Sequence, residues 1–183
     1  MRIVVILLAL ALMIAPKSAV ADTWTRMVAI QLRLSQGDYY AGQADGKFGP
    51  ETQRAFSGFA ADHGIKPIVE DIYGKLIEAA LPARRDLTEG EMAAAVEAVK
   101  EQLLDPYTAD VVVEFGYPGN RDVVVACGRV NAKNRYGGYV GFQWFTVTIM
   151  QLTNTVLALP PTLNDDLAFD LCQLGTYPGA TVR

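Results

Sequence analysis

The hydrophobic period of this chain changes after Asp105-Pro106, and that change limits the elements available on either side. Upstream, apolar residues recur every three or four positions, the spacing that lines one face of an α-helix. Trp24, Met27, Ile30 and Leu34 form a first stripe, and Ala55, Phe56, Phe59 and Ala60 a second. Val69, Ile72, Tyr73, Leu76, Ile77 and Ala80 form a third, stopped by Leu81-Pro82. A fourth (Met92, Ala95, Val96, Val99, Leu103) follows Thr88-x-x-Glu91, the spacing of a capping box. Downstream, 111–115, 122–130 and 139–151 are rich in β-branched and aromatic residues between Gly, Pro and Asn clusters, and read as strands. The natural hairpin turns are YPGN at 117–120 and NRYGGY at 134–139. These strands are apolar on both alternations, so the sheet needs a cover, and the helix over 92–104 is the nearest one. Pro160-Pro161 breaks the chain, and Asn164 or Asp165 caps a last short helix carrying Leu167, Leu171 and Cys172. The expected architecture is two small domains. An all-α three-helix bundle over 22–82 is followed, after a linker at 83–87, by an α+β domain with an antiparallel sheet over 88–183.

The first residues stand apart. Met1-Arg2 carries a positive charge, 3–15 is unbroken apolar sequence, and Ala19-Val20-Ala21 places small residues before a cut at Asp22. This is the order of a secretory signal peptide, and it predicts removal of 1–21 and export to the periplasm or beyond. The apolar run is too short for a span of about 20 residues, so an uncleaved anchor is the alternative and the one expected membrane contact. Without Arg2 and Lys17 the chain has 14 basic against 20 acidic residues, a net charge of −6. Such a field does not attract polyanions, which argues against nucleic acid as a partner. Cys127 and Cys172 are an even pair in an exported chain, which suggests one disulfide, with buried free thiols as the alternative. The chain-entropy model gives such a bridge about 4 kcal/mol as an upper value.

The segment DGKFGPETQRAF, 45–56, needs a tight turn followed at once by a helix. Gly46 permits positive φ after Asp45. Gly49 is a tolerable N-cap, Pro50 at the first helical position loses no needed N–H, and Glu51 suits the positive end of the helix dipole. On this reading the loop turns Phe48 inward as the next helix begins. Here the residues resemble a known group. Gln31-x-x-Leu34, Tyr40, and Asp45-Gly46-x-x-Gly49-x-x-Thr52, followed by Ala55 and Phe59, resemble the peptidoglycan-binding domain of bacterial wall hydrolases over roughly 24–82. The chain departs from that pattern at Gln36-Gly37-Asp38, where the glycine falls one position early. The resemblance implies a three-helix fold in which Gln31, Asp45, Gly46, Phe48, Gly49 and Thr52 hold the motif, and peptidoglycan as partner. The expected site is the groove beside 45–49, with Tyr39 or Tyr40 stacking on a sugar and Lys47 beside Asp45 meeting a peptide carboxylate. Core packing is the alternative for both tyrosines.

CGRVNAKNRYGGYVGFQWF, 127–145, resembles a motif of small secreted proteobacterial proteins, over roughly 92–175, which implies no activity. Its Arg129, Lys133, Arg135 and Tyr136 make a basic hairpin that suits an anionic ligand or a protein partner, with a solvated turn as the alternative. Catalysis has little to draw on. His63 is the sole histidine, no metal-ligand spacing occurs, and neither cysteine lies in a nucleophile signature, so no catalytic residue, metal or cofactor is expected. Glu114 or the Asp165-Asp166 pair would serve only in a carboxylate glycosidase. The sequence reads as a non-catalytic exported envelope protein on peptidoglycan. The alternatives are that glycosidase, or a protein-interaction module without wall affinity.

Overall fold

The computed structural model describes residues 19–119, 122–153 and 155–176, with side chains from Thr23 onward. Residues 1–18, most of the expected signal peptide, lie outside the described residues. Helices α1 (Ala19–Gln36), α2 (Pro50–His63) and α3 (Val69–Ala80) come first, then a 3₁₀ turn at Leu81–Ala83 and helix α4 (Glu89–Lys100). Strands β1 (Asp110–Pro118), β2 (Val123–Asn131), β3 (Gln143–Leu152) and β4 (Thr155–Ala158) follow, and helix α5 (Asp165–Leu174) completes a mixed α+β fold. The sheet is an antiparallel meander in the order β1-β2-β3-β4. Among the described residues, no helix is long and apolar enough to cross a membrane.

Local chemistry sets most of these boundaries. Pro50 opens α2 behind an extended Gly49, and Gly64 closes it in the left-handed region. Asp38 has φ 61°, the conformation a glycine adopts without strain, so the early glycine of Gln36-Gly37-Asp38 leaves aspartate to make the turn. Thr88 and Glu91 form the expected capping box of α4. That helix stops at Lys100 rather than running on through 104, and Gln102 and Leu103 close the end with shorter-range bonds to Val99 and Lys100. The strand expected from 139 starts at Gln143, and β4, short and largely exposed, carries no alternation that marked it in the sequence.

The two faces of the sheet are covered by different helices. Val124, Ala126, Val130, Phe145, Val147 and Ile149 pack with Ala95, Ala98 and Val99 of α4, as expected. Tyr117, Val125 and Cys127 point the other way and pack with Cys172 of α5, which is bonded to Cys127 across a Cα–Cα distance of 5.8 Å. The far side of α5 enters the helical part of the molecule. Leu171 and Leu174 belong to the same buried cluster as Ile30, Leu34, Phe56 and Ile72. Beside them the buried Asp170 accepts hydrogen bonds from Tyr73 (2.7 Å) and Thr25 (3.3 Å), and Arg26 lies 3.7 Å away. Burial, then the bond to Asp170, pushes the Tyr73 phenol far up.

The stretch expected as a linker is held on both sides. Arg85 exchanges backbone hydrogen bonds with Gly116 on the edge of β1, at 2.9 and 2.8 Å. The Arg84 guanidinium lies 4.2 Å from the Phe115 ring and donates to the Tyr117 hydroxyl. Arg85 also forms a bidentate pair with the fully buried Glu91 (2.6 and 2.9 Å), which accepts further bonds from Thr88 and Gln151. The Arg85 hydrogen bonds, followed by those of Thr88, hold the Glu91 carboxyl down at about 2.

Glu91 sits below its unfolded value, so its contribution is complete above about pH 4.5 and is lost as pH falls toward about 2. Urea midpoints taken down the pH scale should therefore drop in that window. Glu91→Gln should remove part of the drop and cost about 3 kcal/mol at pH 7 by leaving Arg85 without its carboxylate. Leu171→Ala should destabilise by about 2–5 kcal/mol. Because α5 is shared, Trp24-only and Trp144-only variants should report one coincident unfolding transition; two separated midpoints would contradict the sharing.

Candidate functional site

The loop between α1 and α2 is organised around one buried amide. Gln31 Nε2 donates to the Lys47 carbonyl and Thr52 Oγ1, both at 3.0 Å, with the Tyr40 hydroxyl and Asp45 Oδ1 slightly farther off. Its Oε1 accepts the Gly46 N–H at 2.8 Å. A glutamine has two N–H donors and one carbonyl, so this side chain is fully used and leaves no buried polar group unmatched. Asp45 Oδ1 accepts the Lys47 N–H at 2.9 Å, closing the turn. That backbone bond, helped by Gln31 and the Lys47 charge, holds the Asp45 carboxyl below its usual range. Gly46 has φ 74°, and a Cβ there would run into the Trp24 indole, whose Nε1 donates to the Asp45 carbonyl. Trp24, expected on the inner stripe of α1, therefore lies on the surface as a brace across the loop.

The residues expected to bind take different places. Tyr40 is 5% exposed, and its hydroxyl donates to the Gln43 carbonyl, so its ring offers no face to a sugar. Tyr39 packs edge-on against Phe59 at 5.2 Å and donates to Asp62. The Lys47 side chain is 82% exposed, its ammonium 3.8 Å from Asp45. Phe48 does not turn inward. It is 53% exposed and rests edge-on upon the fully buried Phe56 at 5.2 Å.

Phe48 forms one wall of an open groove of about 560 Å³, floored by Met27 and bounded by Gln53, Ser57, Ile68 and Glu70. The other side is the α2–α3 connection, through Pro67 and Ile68, a segment that carries no motif in the sequence. One signal was present: Ile68 is the N-cap of α3 and makes no side-chain cap, at a position where Ser, Thr, Asp or Asn is preferred. The groove is thus mostly apolar, with one carboxylate at its rim.

The other candidates do not converge on a site. Arg129 lies within β2, paired with Glu114 and placed over the Phe142 and Trp144 rings at 5.5 and 6.0 Å. Lys133 pairs with Asp105 at 3.3 Å, whereas Arg135 stacks on Tyr136 at 5.2 Å. Asp165 accepts the Trp144 N–H, and His63 stacks on Phe59 at 4.1 Å. Among the described residues no group of three or more His, Cys, Asp or Glu is placed to hold a metal. No family model, curated protein or solved structure matches this chain.

Gln31→Leu keeps the volume but strips the loop of its anchor. It should cost about 2–3 kcal/mol through unmatched buried groups. Hydrogen exchange at the Gly46 and Lys47 amides should speed up while α3 stays protected. Unchanged exchange at 45–49 would show that the loop is held by something else.

Proposed function

We propose that this is a non-catalytic, exported cell-envelope protein that engages peptidoglycan through the groove between Phe48 and Ile68. In this reading 22–82 is a peptidoglycan-binding-like helical module and 88–183 an α+β unit, with α5 as their shared wall. The observation that carries the proposal is the state of Phe48. A loop serving closure alone would bury its one large apolar residue; here the buried Gln31 fixes the loop while Phe48 stays half exposed beside an apolar groove. A rigid, pre-formed wall lowers the ordering cost of binding. The groove chemistry suits a ligand offering methyl groups or sugar C–H faces, with a donor or cation toward Glu70. The disulfide is compatible with an oxidising, exported location.

The test is co-sedimentation of the full chain from Asp22 with purified insoluble peptidoglycan at moderate salt. The full chain is required because Leu171 and Leu174 of α5 complete the helical cluster. Phe48→Ser with Ile68→Ser should weaken pelleting by roughly thirtyfold, since each half-exposed side chain contributes on the order of 1 kcal/mol and the two together about 2 kcal/mol. Tyr40→Phe should not alter it, because that ring faces the interior. Equal pelleting by the groove variant would sink the proposal.

A further inference from the structure

One end of the sheet carries two loops tied to each other. β1 begins at Asp110, opposite Asn131, and Val130 pairs with Gln143, so the connections 101–109 and 132–142 leave from the same end. Asp105 pairs with Lys133, and the Tyr139 hydroxyl donates to the Thr108 carbonyl at 3.1 Å. Asn134 Oδ1 accepts the Tyr136 and Gly138 N–H groups, and Asn131 Oδ1 that of Gly141, which fixes the arm. From this fixed base Tyr107 is 96% exposed, Tyr136 82% and Leu104 79%, with Tyr139, Val140 and Phe142 about half exposed. The opposite end, at Tyr117, faces Gly175 at the end of α5 and so the helical part of the molecule.

We infer that these two loops seat the protein on the interfacial zone of a phospholipid bilayer, as a peripheral contact. Side chains with so little of their surface covered project singly instead of tiling a packed patch. A protein partner would need a separate pocket for each, and interface hot spots cluster in packed, desolvated centres. The bilayer interface needs no matching shape, and it favours tyrosine, whose ring is apolar and whose hydroxyl stays wet. The charges fit as well. Lys133–Asp105 and Arg129–Glu114 neutralise the roots of the arm, so those four charges do not meet lipid unpaired. Arg135, against Tyr136, is placed to reach a phosphate while the ring enters the interface. The net charge of the chain is negative, so zwitterionic lipid is the fitting surface and a strongly anionic one is not. This inference does not depend on the wall-binding groove.

The experiment is flotation of the chain from Asp22, free of its apolar leader, with phosphatidylcholine vesicles, with and without added phosphatidylglycerol. Binding to pure phosphatidylcholine that persists at high salt is expected. Leu104→Ser, Tyr107→Ser and Tyr136→Ser together should reduce partition by at least about tenfold, the sum of three lost apolar insertions. All three are exposed, so circular dichroism and the urea midpoint should stay unchanged. No flotation with either vesicle, or equal flotation of the triple variant, overturns the inference. So does binding confined to phosphatidylglycerol and abolished by salt. A self-association lost in the triple variant without any flotation assigns the surface to a second copy instead. Peptidoglycan pelleting by the triple variant reads the groove separately, so the two proposals fail independently.

Discussion

Helix α5 is ten residues long, and five of them (Ala168, Asp170, Leu171, Cys172 and Leu174) are buried. A helix that short cannot hold itself together in water, so its helicity comes from packing. It is packed on both sides. Cys172 is bonded to Cys127 in the sheet, while Leu171 and Leu174 fill the cluster beneath α1, α2 and α3, and Asp170 gathers Thr25, Arg26 and Tyr73. Three short helices enclose only a marginal core by themselves. The last helix completes that core, and the same helix covers one face of the sheet. The disulfide then limits how far α5 can leave the sheet, so a covalent bond in one half supports the packing of the other.

The junction at 84–87 works in the same direction. Arg84 stacks on Phe115 and reaches Tyr117, Arg85 pairs with the edge of β1, and its guanidinium meets the buried Glu91. A buried ion pair is a poor source of net stability, because dehydration of both ions offsets their attraction. Its value is geometric: Glu91 ties Arg85 and Thr88 to Gln151 of β3, which fixes the junction against the sheet. Backbone pairing at Gly116 also shields part of an edge strand that would otherwise be open to other chains.

The molecule has two distinct apolar surfaces. The groove beside Phe48 lies on the helices, and the tyrosine-bearing loops lie at the end of the sheet away from Tyr117. Both are apolar surfaces held by polar groups behind them: Gln31 in one case, and Asn131, Asn134 and the Lys133–Asp105 pair in the other. Holding exposed apolar side chains rigid costs solvation but removes the ordering cost that flexible loops bear on binding.

The sequence determined what is local. The stripes of α1 to α4, the Gly49-Pro50 start and Gly64 stop of α2, the Thr88–Glu91 box and the Asn164 cap follow from side-chain periodicity and from backbone groups within a few residues. The Cys127–Cys172 pair was legible because an even count and a signal-like leader restrict the choices. Whatever depends on which surface meets which was decided by the tertiary structure. Phe48 has the hydrophobicity of a core residue, but Phe56 already holds the buried position on which it rests. Tyr40 has the look of a ligand-stacking ring, but the hub around Gln31 draws it inside. Glu91 was readable as a cap, and its pairing with Arg85 was not, because β1 brings Arg85 to it through Gly116, far along the chain. Leu171 and Leu174 give a helix an apolar face; that the face fills the core of helices more than ninety residues earlier is a long-range contact, which no local period encodes.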